Sequence, residues 1–466
     1  MTRVDGGHRG AARLAAAALC ILVAGDLVAC SPSTPTSSTA PPGSPPISGV
    51  DSRPPTWGVL PAMPSPPVER WQATEQKLFD YSDTYRQRAP LTGQFFPGEW
   101  NPANGGRWIT IASSTTATRV RSVKLDSGTQ EWDAILDSPA AHCAVNAGPD
   151  MVCATDSQLV LLDIKTGTQT STLPVAGVKN LALSAAGDIY VASWDNNPAG
   201  TSEPSPTTAL NVKLQRLDPA GTVQWSSSGT IQSDPSDPLQ VTLVHDAVFV
   251  SSDYTGACFG RTAAAGQLIP GLEGAGYVSW WGDRLTAAST ENWTTRVINA
   301  SGEDLFTVPG IPASPGNFLI TRDVSSANLP LVTDSLASGG QTLRAFDDQG
   351  KQLWESSGET LRAICGGATI TTSDQQVTAR DAHNGTIRWT QHLTGAVACD
   401  GPRALILDND GPSTTESGTL VVTAVDLTSG RQAWQASIPG HAFHYASDTG
   451  LILTQGTADS TYALYR

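Results

Sequence analysis

Acidic side chains recur at regular places along this 466-residue chain. Five aspartates stand at the end of apolar runs and shortly before a glycine: Asp163, Asp218, Asp347, Asp381 and Asp426. Carboxylates can serve acid-base chemistry or bind Ca²⁺, but a carboxylate in a tight turn also accepts hydrogen bonds from the turn amides. Because each of these residues lies in a predicted turn, capping explains them without catalysis.

Three shorter patterns could also do chemistry. Asp408-Asn409-Asp410-Gly411 begins like a calcium loop, but the later ligands of a full motif are missing, so a polar turn is the preferred interpretation. His441 and His444 are three residues apart in a predicted strand and would point to opposite faces, which makes a poor metal pair. Trp280-Trp281 is better explained by core packing than by a ligand channel. We therefore predict no catalytic residue and no metal site.

The elements that position these residues form a repeat. An apolar strand is followed by Asp, one to three residues, Gly, and then Trp four residues after the Gly. The copies are Asp126/Gly128/Trp132, Asp163/Gly167 with Ser171 in place of Trp, Asp218/Gly221/Trp225, Asp347/Gly350/Trp354, Asp381/Gly385/Trp389 and Asp426/Gly430/Trp434. Each copy predicts a hairpin in which Asp caps the turn, Gly takes positive φ, and Trp packs against a neighbouring sheet.

The spacing of these hairpins predicts the architecture. Two weaker copies, at Gly266 and at Gly302 with Phe306 in the Trp position, fill the long gap after Gly221 and give an average period of about 43 residues. Short strands at this period indicate an all-β protein, a β-propeller of four-stranded blades. We expect eight blades, with seven as the alternative. We also expect the C-terminal strands to complete the first blade, beside R-W-I-T-I-A, because an open ring would expose sheet edges.

The motif A-x-D-x-x-x-G-x-x-x-W resembles the tryptophan-docking repeat of pyrroloquinoline-quinone-like (PQQ-like) propellers, over roughly residues 100–466. That family includes quinoprotein alcohol dehydrogenases and the propeller lipoprotein of outer-membrane barrel assembly. The resemblance implies that a dehydrogenase would need PQQ, Ca²⁺, a catalytic Asp and, in many members, an adjacent cysteine pair, which this chain lacks. We expect no cofactor, with PQQ and Ca²⁺ as the alternative.

The cysteines fit an oxidising compartment. Cys143 and Cys153 lie on successive predicted strands, and Cys365 and Cys399 occupy matching places in consecutive repeats. Two disulfides are therefore predicted, with buried reduced thiols as the alternative and Cys258 left over.

The N-terminus resembles a bacterial lipoprotein signal peptide. Residues 1–29 contain a basic region and a short apolar run that ends in Leu27-Val28-Ala29 before Cys30, the expected lipidated residue. An uncleaved membrane anchor is the alternative. We predict a Ser/Thr/Pro-rich disordered tether at residues 30–56, an N-terminal extension of unassigned role at residues 57–90, and the propeller at residues 91–466.

The formal net charge of −15 argues against nucleic acid as a partner. The sequence favours a non-enzymatic scaffold, anchored by lipid to the extracytoplasmic face of the bacterial cell membrane, that binds an envelope protein or a glycan. The alternatives are a PQQ/Ca²⁺-dependent dehydrogenase and a scaffold of the outer-membrane-assembly type.

Overall fold

A computed structural model describes the chain in segments that all lie within one unit, residues 50–466. The described residues are 60–74, 77–78, 86–87, 107–139, 141–145, 150–184, 186–195, 208–233, 239–244, 246–252, 258–272, 275, 277–281, 284–289, 292–299, 302–313, 321–322, 329–337, 340–373, 375–409, 419–439, 442–447, 450–455 and 461–466. The predicted signal peptide, the predicted lipidation site Cys30 and the predicted tether lie outside them.

The described residues form 36 strands. The first eighteen are β1 (Glu69–Thr74), β2 (Arg86–Gln87), β3 (Arg107–Ser113), β4 (Thr118–Lys124), β5 (Gln130–Leu136), β6 (His142–Val145), β7 (Asp150–Ala154), β8 (Leu159–Asp163), β9 (Gln169–Leu173), β10 (Asn180–Leu183), β11 (Ile189–Trp194), β12 (Thr208–Leu217), β13 (Val223–Ser233), β14 (Leu239–Val244), β15 (Ala247–Ser252), β16 (Cys258–Thr262), β17 (Tyr277–Trp281) and β18 (Arg284–Ser289). The others are β19 (Thr294–Ile298), β20 (Asp304–Pro309), β21 (Ile311–Pro312), β22 (Thr321–Arg322), β23 (Leu331–Ala337), β24 (Gly340–Phe346), β25 (Gln352–Ser357), β26 (Thr360–Cys365), β27 (Ala368–Ser373), β28 (Gln376–Asp381), β29 (Ile387–Gln391), β30 (Ala396–Cys399), β31 (Arg403–Asn409), β32 (Thr419–Asp426), β33 (Gln432–Pro439), β34 (Ala442–Ser447), β35 (Gly450–Gln455) and β36 (Thr461–Tyr465).

These strands form nine sheets, which we number in chain order. Sheet 1 is β2–β5, sheet 2 is β6–β9, sheet 3 is β10–β13, sheet 4 is β14–β16, sheet 5 is β17–β20, sheet 6 is β21 with β23–β25, sheet 7 is β22 with β26–β29, sheet 8 is β30–β33, and sheet 9 is β34–β36 with β1. All strand pairs are antiparallel except β22 with β26. The first strands of consecutive sheets also contact one another, as β6 contacts β10 and β26 contacts β30. This is the arrangement of a β-propeller, so the predicted fold class is confirmed.

In several sheets, burial falls from the early strands to the last. In the second strand of sheet 2, β7, four of five residues are buried, whereas in the last strand, β9, only Leu173 is buried. A strand between two neighbouring sheets is covered on both faces, while a strand at the rim keeps contact with solvent. The repeated Trp is the buried residue of several rim strands, as Trp354 is in β25 and Trp389 in β29. The large indole ring therefore provides much of the rim's apolar contact.

The ring closes differently from the prediction. The expectation that the C-terminal strands complete the sheet containing R-W-I-T-I-A is wrong, because β36 pairs instead with β1, in the register Trp71↔Leu464 and Thr74↔Thr461. This pairing makes a separate ninth sheet, and β1 comes from the segment that the sequence left unassigned. The count of eight blades is not confirmed, since the described residues form nine sheets.

Residues 60–74, which we call the closing segment, join the two ends of the ring. The amide of Leu60 donates to the carbonyl of Cys399 at 2.7 Å, and that of Met63 donates to the buried carboxylate of Asp400 at 2.8 Å. Leu60 and Met63 are each 3% exposed and pack in one core with sheets 8 and 9. Beyond the closing segment, the guanidinium of Arg121 donates to the carbonyl of Leu78 at 3.1 Å. The described residues of the N-terminal extension are thus part of the folded ring.

Candidate functional site

The repeated glycines share one backbone conformation. Their φ angles lie between 63° and 85°, in the left-handed region that only glycine enters without steric cost: Gly128, Gly167, Gly221, Gly266, Gly302, Gly350, Gly385 and Gly430. A second constraint acts on them, because the neighbouring sheet places a side chain against the glycine. A Cβ at Gly385 would lie 2.6 Å from the Cβ of Trp354, and one at Gly430 would lie 2.5 Å from the Cβ of Trp389. The two constraints together explain why glycine occupies every copy.

The repeated tryptophans dock consecutive sheets through their indole N–H. Trp132 donates to the carbonyl of Ile164 at 3.0 Å, Trp354 to Ala382 at 2.7 Å and Trp389 to Leu427 at 3.1 Å. Trp225 and Trp434 donate in the same way, to Ala263 at 3.0 Å and to Met63 at 2.7 Å. In each bond the acceptor lies in the next sheet or, for Trp434, in the closing segment. The indole N–H, which would otherwise be buried without a partner, is thereby satisfied.

The repeat motif did not predict two of the docking tryptophans. Trp71 of β1 donates to the carbonyl of Leu125 at 2.5 Å and lies against Gly128, and Trp281 donates to Leu329 at 2.7 Å. Neither follows a glycine at the motif spacing. A signal was nevertheless present, since the first hairpin glycine needs a docking side chain and no earlier copy of the motif supplies one.

Other side chains dock at three glycines without a Trp. Leu173 lies against Gly221, Pro270 against Gly302, and Phe306 against Gly350. Phe306 occupies the Trp position, as its place in the repeat suggests, whereas the Ser171 copy is served by the leucine two residues later. An apolar side chain is therefore sufficient for docking.

Five of the six repeated aspartates cap their turns, whereas in the described structure no turn amide donates to the carboxylate of Asp126. The amides of Lys165 and Thr166 donate to Asp163 at 2.9 and 2.8 Å, and the amides of Thr428 and Ser429 donate to Asp426 at 3.1 and 2.7 Å. Asp218, Asp347 and Asp381 accept from their own turn amides in the same way.

Hydrogen bonds to these carboxylates favour the ionised form. The Thr166 hydroxyl lowers the pKa of Asp163, the Arg388 guanidinium lowers the pKa of Asp381, and the Ser429 hydroxyl lowers the pKa of Asp426. The pKa of a general acid at neutral pH would have to be raised instead, so these groups have the properties of caps.

Both predicted disulfides are present. Cys143–Cys153 joins directly opposed residues of β6 and β7, and Cys365–Cys399 joins the last residues of β26 and β30. The second bond therefore links sheet 7 to sheet 8 by their first strands. The side chain of Cys258 lies outside the described set.

Most of the remaining candidates lie outside the part of the chain that the structure describes. Asp408 accepts a hydrogen bond from the Thr394 hydroxyl at 2.8 Å, while Asp410, Gly411 and His441, and the side chains of Asn409, Trp280 and His444, are not described. Within the described ranges, no three His, Cys, Asp or Glu side chains are placed to hold a metal ion. Nor does any described helix have the length and apolar character needed to span a membrane.

A surface that the sequence did not single out lies on the rim of sheets 3, 4 and 5. Val223, Leu268 and Leu305 are 49%, 47% and 42% exposed, and we call them the apolar rim. All three follow the hairpin glycine of their sheet by two or three residues. The second residue after the glycine is glutamine in four other copies: Gln130, Gln169, Gln352 and Gln432. Comparing this position between repeats would have pointed to Val223 and Leu268, together with Ile387 of sheet 7, but not to Leu305, which lies one residue later.

A strained tryptophan is exposed near the same sheets. Trp293, in the hairpin between β18 and β19, is 40% exposed and has φ 51°, the one positive φ of a non-glycine residue in the described part of the chain. The amide of Gly310 donates to its carbonyl at 2.7 Å and holds this conformation. Strain of this kind costs of order 1–3 kcal/mol, so the surrounding structure must support it.

Comparisons with known proteins agree with the repeat. A family model described as outer membrane protein assembly factor BamB matches residues 211–449. Similar solved structures include BamB from Moraxella catarrhalis (14% identity, 82% of this chain and 97% of that chain, TM-score 0.36). They also include the quinohemoprotein alcohol dehydrogenase ADHIIG from Pseudomonas putida HK5 (11% identity, 88% and 78%, TM-score 0.42). No curated protein matches the chain.

The solved structures are too dissimilar to carry an argument about activity. The family match, in contrast, spans just over half of the chain and ends within the C-terminal strands of the ring. The chain therefore belongs to the family of PQQ-like repeat propellers whose model is described as outer membrane protein assembly factor BamB.

Proposed function

We propose that the protein is a cell-envelope lipoprotein whose propeller binds another envelope protein and catalyses no reaction. The repeated residues support this proposal, because five of the six aspartates already cap turns and the tryptophans already dock sheets. The description of the family as an outer-membrane assembly factor favours a scaffold of the assembly type. Lipid attachment at Cys30 would hold the propeller at the extracytoplasmic face of the membrane.

The apolar rim is the observation that carries the binding proposal. Three aliphatic side chains on consecutive sheets remain about half exposed, at or near a position where other repeats have glutamine. Exposed aliphatic side chains at corresponding places on three consecutive sheets favour a protein interface, whereas a glycan site would be expected to present polar groups or stacked aromatic rings. Covering the exposed half of each side chain would contribute about 1 kcal/mol.

The test replaces each residue of the apolar rim with glutamine, the residue that four other repeats have at the corresponding position. The wild-type protein is expected to form a cross-linked adduct with its partner on intact cells, and the Val223→Gln/Leu268→Gln/Leu305→Gln variant should lose this adduct. Ile387→Gln is the matched control, because Ile387 is 52% exposed at the equivalent position of sheet 7. Both variants should unfold at the wild-type temperature, since no buried contact changes. An adduct that persists in the triple variant would contradict the assignment of the rim.

Anchoring has a separate test. Cys30→Ala should move the protein from the membrane fraction to the soluble extracytoplasmic fraction, and metabolic labelling with a fatty acid should disappear. Continued labelling of the variant would show that Cys30 is not the acylated residue.

The dehydrogenase alternative is tested by cofactor binding. If the protein is a scaffold, titration of the mature chain with PQQ and Ca²⁺ should leave the tryptophan fluorescence unchanged. Saturable quenching at roughly 1 µM, about 8 kcal/mol, together with dye-linked alcohol oxidation, would replace the scaffold proposal.

A further inference from the structure

A two-residue strand, β22, joins a sheet other than that of its neighbours in sequence. β21 and β23 are successive strands of sheet 6, yet the residues between them supply β22, which belongs to sheet 7. β22 pairs with β26 in parallel, in the register Thr321↔Ala363 and Arg322↔Ile364. It is the one parallel pair among the strands described.

The position of β26 shows where β22 lies. β26 is the first of the four antiparallel strands of sheet 7, and one of its edges pairs with β27. The first strands of a propeller line the central channel, so the other edge of β26 faces that channel. β22 occupies this edge and also contacts β30, the first strand of sheet 8.

Two further features meet at the same end of these strands. Cys365 directly follows Ile364 and is bonded to Cys399 at the end of β30. The carbonyl of Cys399 accepts the hydrogen bond from Leu60 of the closing segment. Ala363 and Cys365 of β26, and Ala398 and Cys399 of β30, are all 0% exposed. This end of the inner wall is therefore covered and cross-linked.

We propose that β22 is an internal plug that closes the channel-facing edge of sheet 7 to ligands, and that the Cys365–Cys399 bond holds it there. A two-residue pairing has few hydrogen bonds to offset the entropy of ordering its strand, so it depends on a rigid acceptor. The disulfide fixes β26 against β30 and so makes the acceptor rigid. This inference does not depend on the proposed binding function, and it directs ligand recognition away from this part of the channel.

The experiment compares removal of the two disulfides in the mature chain. Cys365→Ser/Cys399→Ser removes the bond beside the plug, and Cys143→Ser/Cys153→Ser removes the bond within sheet 2 as a matched control. Amide hydrogen exchange is followed for residues 321–322 and 363–364, and trypsin cleavage is followed at the bond after Arg322.

In the wild-type protein and in the control variant, the amides of 321–322 should exchange slowly and Arg322 should resist trypsin. In Cys365→Ser/Cys399→Ser, exchange at 321–322 should accelerate at least tenfold and cleavage should appear, while the hairpin amides of sheet 1 keep their protection. The proposal of a plug would be overturned if the amides of residues 321–322 in the wild-type protein exchanged as fast as those of an unstructured peptide. An equal response of the two disulfide variants would overturn the role of the Cys365–Cys399 bond.

Discussion

Two constraints act on the hairpin glycines: the positive φ and the contact with a docking side chain. Substitutions in two neighbouring turns can measure them separately. Gly167 and Gly177 have φ angles of 68° and 73°, so alanine meets the same backbone penalty at both. They differ in their surroundings, because a Cβ at Gly167 would lie 2.6 Å from Cδ2 of Trp132, whereas nothing lies within 4 Å of a Cβ at Gly177. The comparison therefore isolates the contact with the docking tryptophan.

The expected magnitudes follow from these two terms. Gly177→Ala should cost about 1–2 kcal/mol of unfolding free energy, the penalty for alanine in the left-handed region. Gly167→Ala should cost about 2–5 kcal/mol, because displacing the indole ring adds about 1–3 kcal/mol of overpacking. In a Trp132→Leu background the ring is absent, so the further cost of Gly167→Ala should fall to about 1–2 kcal/mol.

Urea unfolding followed by circular dichroism measures the unfolding free energies of the wild-type protein and the four variants under one set of conditions. Equal losses for Gly167→Ala and Gly177→Ala would refute the docking argument and leave backbone conformation as the sole reason for glycine. A cost of Gly167→Ala that is unchanged by Trp132→Leu would refute it in a second, independent way.

Further predictions concern closure, charge and cross-links. Trp71→Ala should cost about 3–5 kcal/mol and raise amide exchange in β36, because it removes a buried ring from the closing segment; unchanged exchange would argue against this closure. The pKa of Asp381 lies below its ordinary 3.8 because Arg388 donates to the carboxylate. The ionised carboxylate therefore stabilises the folded protein above about pH 4. This stabilisation is lost as the pH falls through the lower folded-state pKa. Asp381→Asn should thus reduce the loss of stability between about pH 6 and pH 3 in urea titrations, and an unaltered pH dependence would contradict this assignment. The cysteines of the two disulfides are separated by 10 and 34 residues. Loop-closure entropy therefore predicts a loss of unfolding free energy of roughly 2.5–3 kcal/mol for Cys143→Ser/Cys153→Ser and of roughly 3.5–4 kcal/mol for Cys365→Ser/Cys399→Ser. Calorimetry that shows the reverse order would count against an entropic origin.

The fold was predictable because its determinants are local. A hairpin such as Asp381 to Trp389 contains its own cap, its own left-handed residue and the side chain that docks the next sheet, all within nine residues. Repetition at about 43 residues then leaves few architectures that bury every sheet. Both disulfide pairs also follow from local information, since their cysteines lie on adjacent strands or at matching repeat positions.

The surface features were less accessible to sequence reasoning. The apolar rim differs from other repeats by single residues, such as Val223 where Gln352 stands, and exposure decides whether such a residue is core or interface. Exposure depends on how much of each rim strand the neighbouring sheet covers. No sequence motif marks the strained Trp293 either. Its positive φ is held by a hydrogen bond from Gly310, which lies in a different connection between strands.

The sequence by itself determined the repeated hairpins and the docking of each sheet on the next, because those interactions are encoded by Asp, Gly and Trp at fixed short spacings. Only the tertiary structure decided how the ring closes and what lies at its channel. β1 pairs with β36 across almost 400 residues, and β22 leaves its own sheet for the edge of another. Such pairings depend on which strand edges remain free once the other sheets have packed, and no local pattern of residues records that.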